Sequence, residues 1–201
     1  NGTTVASGSA FTINDLAVGK NNATIEVTAQ DGTTTTTYTV EVYRAIPIFQ
    51  TGQTTSYDIG DDGDLQMGVS WPATRFTPVG DDSLRDEMTG LVWLKTLSTS
   101  DRTWATAITY CQNLETENAS VTDWRLPNVR ELRSLVHYGQ SSPATWLNSQ
   151  GFTGVQANYY WSSTTYAPNT ASAWYVNMRF GSVYYGSKAG YCYVWPVRSG
   201  Q

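Results

Sequence analysis

The sequence predicts an α+β protein, with an all-β segment first and a mixed domain after it. Three observations carry this. Residues 1–45 show alternation of period two around an Asp31-Gly32 turn. Two later stretches show apolar spacing of three and four residues. The remainder is broken into short apolar runs between Gly, Asp, Ser and Thr, which reads as short strands and loops.

In the first segment Ile25, Val27 and Ala29 alternate with polar residues, and Tyr38, Val40 and Val42 do so again after the turn. This is a hairpin ending near Arg44. Two or three strands cannot hold a core alone, so the piece is expected to be partial. The chain begins at Asn1 in mid-pattern, as a fragment of something longer would. Ala45-Ile46-Pro47 starts a connector, and residues 46–201 form the second domain.

The first helix is predicted over 103–117, where Trp104, Ala107, Ile108, Cys111 and Leu114 make one apolar stripe. The second is predicted from Val129 to Tyr138. Asn128 is its N-cap, Glu131 sits at the capping-box position, and Gly139 follows as a stop. After Gly139 no helical period is evident.

Charged residues are only 14% of the chain and the net charge is −5, which argues against capture of nucleic acid. No apolar run approaches the length of a membrane span, so no membrane insertion is expected. All 17 acidic residues precede Leu132, and the last seventy residues hold none. That stretch keeps Arg133, Arg179, Lys188 and Arg198, and most of the 13 Tyr among Ser, Gly and Asn. Such a composition suits recognition: Tyr supplies a large contact with few rotors, and small polar residues adapt around it.

Chemistry-bearing patterns are sparse. Asp58, Asp61, Asp62 and Asp64 invite an irregular calcium site, but Gly60 occupies the third position of an EF-hand reading and the twelfth lacks Glu. A solvated acidic turn is the favoured reading, and no cofactor is expected. The lone His137 has no evident nucleophile beside it, and Ser162-Ser163 has no glycine-flanked elbow. No catalytic residues are assigned. Cys111 and Cys192 could form one bridge in an exported protein; the sequence leaves this open.

Three resemblances add to these readings. The run "LAVGKNNATIEVTAQDGTTTTTYTVEVYR" resembles the closing half of a bacterial cadherin-like or Ig-like β-sandwich repeat, which implies an extracellular spacer. The motifs "TGLVWLK", "TWATAITYC", "DWRLPNVRELRSLV", "YYWSSTTY" and "VWPVRSG" resemble the C-terminal domain family of the Legionella collagen-like protein, over about residues 51–201. That resemblance implies a C-type lectin-like fold, similar also to formylglycine-generating enzymes: two helices beside a twisted, mostly antiparallel sheet with long loops. Many members end in a Cys where this chain has Pro196, which implies that Cys111 lacks that partner. The carboxylate motifs of calcium-dependent sugar-binding lectins are not found after Glu131.

Residues 171–193 resemble the variable region of proteins diversified by retroelements that mutate adenines. The commonest target codon, AAC, cannot be turned into Lys, Glu, Gln, Met or Trp by changing its first two bases. The candidate variable positions are Tyr175, Arg179, Phe180, Ser182, Tyr184, Tyr185, Gly186, Ser187, Ala189, Gly190, Tyr191 and Cys192. Trp174, Met178 and Lys188 would then be framework, beside Val176, Val183 and Val194. The resemblance implies a ligand-binding module on a virion, as at a tail-fibre tip, or on a cell surface, with a protein or glycan receptor. The alternative expectation is a fixed-specificity adhesin for sulfated or other anionic glycans, using Arg179 and Lys188.

Overall fold

A computed structural model describes residues 19–44, 48–80, 82–114 and 123–200. The chain divides into two units, the first ending at Ile48 and the second beginning at Phe49.

The first unit contains β1 (Gly19–Thr28) and β2 (Thr35–Arg44), paired antiparallel with Gly19 opposite Arg44. The turn forms where Asp31-Gly32 predicts it. Gly32 takes φ +72°, and the Asp31 carboxylate accepts from the Thr33 and Thr34 amides at 2.9 and 2.8 Å. A hydrogen bond from the Thr34 hydroxyl leads the causes that hold the Asp31 carboxyl down at about 2. Ile25 faces Tyr38 in the register, and both remain more than half exposed. Two strands leave this apolar face uncovered among the described residues, as the strand count requires.

The second unit has two antiparallel sheets. One runs β3 (Phe76–Pro78), β4 (Ser83–Asp86), β5 (Val92–Leu94) and β9 (Val197–Arg198), in that spatial order. The other runs β6 (Tyr159–Thr165), β7 (Ser172–Asn177) and β8 (Val183–Ser187). The helices are α1 (Asp62–Leu65), α2 (Trp104–Gln112), α3 (Val129–Ser134) and α4 (Pro143–Ser149). Mixed helices and antiparallel sheets make the architecture α+β.

The predicted stripe of α2 is real, since Ala107 and Cys111 are fully buried. The helix ends earlier than the expected 117, at Gln112 with Asn113 as its C-cap, and residues 115–117 lie outside the described residues. The α3 capping box is present: Asn128 accepts from the Arg130 and Glu131 amides, and Glu131 accepts from the Asn128 amide. The helix stops at Ser134 rather than Tyr138. Two competing bonds explain this. The Ser134 carbonyl accepts from Arg75 Nη2 at 2.6 Å, and the Tyr138 amide donates to the Thr51 carbonyl at 3.0 Å. A continued helix would have joined those two groups to each other.

Two further helices depart from the expectation. In α4, Ser142 caps, Pro143 occupies the first turn, and Ala144 and Leu147 are buried. A serine followed by proline is a start signal that needs no long apolar period. The acidic turn holds α1, and its carboxylates are engaged locally. Asp61 accepts from the Tyr57 and Asp64 amides, Asp64 from Gly60, Asp58 from Ile59, and Asp62 from the Thr51 hydroxyl. Hydrogen bonding, led by the Tyr57 amide, lowers the Asp61 pKa. Asp58, Asp61 and Asp64 thus cap backbone and Asp62 takes a hydroxyl, and no group of three or more potential ligands is placed for a metal among the described residues.

The three-stranded sheet is covered on both faces. Tyr160 and Val176 enter the larger core with Leu132 and Leu135 of α3, Trp93 and Trp195. Trp161 and Ala173, on the other face, enter a smaller core with Ala107 and Cys111 of α2. Successive residues alternating between two cores is the strand period at work.

A buried ion pair ties the first sheet to α3. Arg75 donates to Asp86 through Nε at 3.0 Å and Nη2 at 2.9 Å, and both side chains are almost fully buried. Asp86 also accepts from the Met88 amide and the Thr89 hydroxyl, both at 3.0 Å. The Arg75 guanidinium lies 4.5 Å from the Trp71 ring and 4.8 Å from Phe76. Removing one partner strands a buried charge. Asp86→Ala should therefore lower unfolding free energy by about 3–5 kcal/mol in a denaturant titration; a loss below about 1 kcal/mol would show that the pair is dispensable.

Candidate functional site

The twelve candidate positions lie on the β7–β8 hairpin and on the loop that leaves it. In the register Trp161 faces Tyr175, Tyr175 faces Tyr184, and Ala173 faces Gly186. These side chains therefore share one face with Tyr159. Tyr159, Tyr175 and Tyr184 form a row there, with ring centroids 4.9 Å apart for the first pair and 6.4 Å for the second. Gly186 makes room for the row, because a Cβ at that position would lie 2.9 Å from the Tyr175 ring.

Beside the row is a recess of about 210 Å³. It is lined by Tyr159 and Trp161 together with Tyr175, Gly186, Ser187, Gly190, Tyr191 and Cys192. Half of the twelve candidates therefore converge on one place. Tyr191 is 68% exposed and stands at the rim. Tyr175 is half-buried, and burial raises its phenol pKa. The lining offers ring faces, phenol hydroxyls and main-chain polar groups with no ionised side chain, which suits non-covalent recognition.

The other candidates divide. Arg179, Phe180 and Ser182 sit at the hairpin turn, where Phe180 and Ser182 line a second recess of about 350 Å³ with Arg133, Tyr138, Gly181 and Val183. Ala189 is exposed on the loop. Tyr185 points to the opposite face from Tyr184 and stacks on Tyr166 at 3.8 Å, with the edge of Trp174 5.6 Å away. It does not join the Tyr175 surface. Cys192 is buried, unlike the exposed candidates around it: it is only 6% exposed and packs in the smaller core with Cys111. Its backbone bonds, described next, turn its side chain inward.

The loop is held by main-chain bonds to parts of the chain outside it. The Lys188 amide donates to the Ala171 carbonyl at 2.8 Å, and the Lys188 carbonyl accepts from the Trp104 amide at 3.1 Å. Arg102 and Cys192 exchange two bonds, at 2.9 and 3.1 Å. The Tyr193 amide donates to the Tyr159 carbonyl, and the Tyr193 carbonyl accepts from the Trp161 amide. None of these needs a particular side chain at 189–191.

Lys188 reinforces the path. Its Nζ donates to the Thr165 hydroxyl at 2.8 Å and lies 4.0 Å from the Trp104 ring centroid. Among the other expected framework residues, Val176 and Met178 are fully buried, while Trp174 is half-buried against Tyr166 and Tyr185. Tyr159, Trp161, Arg133 and Tyr138 escape sequence reasoning. Their part depends on cross-strand register and on packing between elements distant in the chain.

His137 lies between the rings of Trp71 and Trp146, at 4.5 and 4.8 Å. Its Nδ1 accepts from the Gly139 amide at 3.1 Å. Burial, then the charge of Arg75, lowers its pKa.

Cys111 and Cys192 are both unbridged and buried, and burial pushes each thiol from 9.0 up to about 12. At pH 8 roughly one such thiol in ten thousand is ionised. A thiol-titrating disulfide reagent should thus react slowly with the native protein and quickly in denaturant. Because folding raises both pKa values, their contribution to stability is complete below about pH 9 and is lost as pH rises toward 12. Fast reaction of either thiol at pH 8 in the native state would contradict this placement.

Comparison with protein families gives two matches. A model described as the Lcl C-terminal domain matches residues 82–198, and one described as a cadherin-like beta sandwich domain matches residues 1–45. The first covers more than half of the chain, and both agree with the resemblances carried by the motifs. No curated protein matches the sequence. The chain belongs to the Lcl C-terminal domain family, with a cadherin-like β-sandwich segment in front.

Proposed function

From that membership we propose that the second unit is a ligand-binding module of C-type lectin-like fold, diversified by a retroelement and displayed on a virion or cell surface. Its partner is a protein or glycan receptor, and its action is binding, with no chemical step. The cadherin-like segment serves as a spacer. Among the described residues no helix is long and apolar enough to cross a membrane.

One observation carries this reading. Six of the candidate variable residues border a single recess, in a loop whose path is held by main-chain bonds from Arg102, Trp104, Tyr159, Trp161 and Ala171. The exposed side chains there, such as Ser187 and Tyr191, can change while the backbone stays, because exposed substitutions shift stability little. The anchors of binding would be Tyr175, Tyr184 and Tyr191, with Arg179 and Phe180 at the hairpin turn.

A fixed-specificity adhesin for sulfated or anionic glycans is the second reading. The acid-free terminal seventy residues and the exposed Arg179 favour it. Lys188 does not, since its ammonium is engaged by Thr165 and Trp104.

The two readings differ in a graft. Replacing the exposed candidates Arg179, Phe180, Tyr184, Ser187, Ala189 and Tyr191 together should leave Tm within about 5 °C and abolish binding to cells carrying the receptor. Unfolding of the graft would refute the division into scaffold and variable surface. Binding by the unaltered protein that disappears at high salt, and is lost on Arg179→Ala alone, would favour the adhesin.

A further inference from the structure

The recess at the hairpin turn differs from the aromatic one in having a fixed cation at its edge. Arg133 projects from α3, outside the candidate variable region. Its Nε donates to the Tyr138 hydroxyl at 3.0 Å, and that hydroxyl donates to the Gly181 carbonyl at 3.5 Å. Gly181 closes the turn at φ +75°, where a Cβ would come within 2.6 Å of Val136 Cγ1. Glycine thus lets the turn sit tight against the end of α3. The head of Arg133 is oriented by Tyr138 before any ligand arrives.

Among the described residues its two terminal nitrogens have no hydrogen-bond partner. The ion pairs of the described residues join Arg75 to Asp86, Arg85 to Glu87 and Arg125 to Glu131. Arg133 and Arg179 belong to none of them, and no acid occurs in the chain after Glu131. An arginine with Nε engaged presents its terminal nitrogens to a planar, two-oxygen acceptor. Beside it stand two apolar side chains, Phe180, 65% exposed, and Val183, with Ser182 and the Gly181 backbone completing the lining. Arg179 adds a second positive charge, with its guanidinium 5.0 Å from the Phe180 ring.

We infer that this recess accepts a carboxylate carried on an apolar frame, as an acidic residue flanked by apolar neighbours on a protein partner would present it. Arg133 holds the two oxygens and Tyr138 positions Arg133. Phe180 and Val183 receive the frame. The inference rests on reading this end of the domain as a recognition surface, and not on diversification.

The test is an NMR titration of the whole chain with benzoate, following the Arg133 side-chain Nε–H signal and the Gly181 amide. Benzoate should shift both saturably. Benzamide, its neutral isostere, should shift neither, and Arg133→Gln should abolish the Gly181 response while leaving Tm unchanged. Tyr138→Phe should weaken binding several-fold. An equal response to benzamide, or one retained in Arg133→Gln, overturns the site. An equal response to sulfate reduces it to a general anion site, and a stronger response to glucuronate replaces the apolar frame with a sugar acid; both overturn the inference as stated. Benzoate is titrated into the chain with its loop unaltered, whereas the graft is read on receptor binding and Tm, so failure of one is distinguishable from failure of the other.

Discussion

The segment from Tyr191 to Arg198 is the constraint on which the second unit depends. It touches every layer in turn. Cys192 exchanges two backbone bonds with Arg102, and Tyr193 bridges to β6. The Trp195 indole donates to the Leu94 carbonyl at 3.1 Å, and Val197 pairs with both Trp93 and Arg125. Trp195 is fully buried and packs edge-on to Trp93 and Phe152. Neither sheet is closed without this stretch: it supplies the last strand of one and the flanking bridge of the other. Large rings in such a setting contribute through area and through ring geometry together.

That arrangement explains where variation can be tolerated. The loop at 187–192 enters the core on one side and is pinned by Lys188 on the other. Between those points Ala189, Gly190 and Tyr191 are exposed. The pinning bonds involve backbone, so they are indifferent to most side chains. Cys192 marks the limit, since its thiol is already within the smaller core. Charge is distributed to the same end: acids crowd the start of the second unit, where they cap α1 and its turn, and are missing from the recognition end. A terminal stretch of chain with no acid of its own offers no carboxylate to Arg133 or Arg179.

Local signals were read well from sequence and nonlocal ones were not. The Asn128–Glu131 capping box and the Asp31-Gly32 turn are satisfied within a few residues, so their residue types specify them. The stripe of α2 follows from helix period alone. The early end of α3 escaped because it is decided by Arg75 and Thr51, which lie far off in the chain. For α4 the Ser142-Pro143 start and the φ +100° Gly151 stop were present, but seven residues are too few for an apolar period. The composition of residues 132–201 indicates a recognition surface. Which of those residues meet in one recess depends on the β6–β7–β8 register, which places Tyr185 away from Tyr184, and on the Arg102 bonds that turn Cys192 inward.

The central claim is that main-chain bonds, and not the side chains at the candidate positions, set the path of the loop. A crystal structure of the variant with Arg179, Phe180, Tyr184, Ser187, Ala189 and Tyr191 all replaced tests it most directly. The account predicts that the backbone of residues 183–194 superimposes within about 1 Å, the scale of change in pre-organised binding surfaces, with the Arg102–Cys192 and Trp104–Lys188 bonds intact. A rebuilt loop, or loss of those bonds, would contradict it.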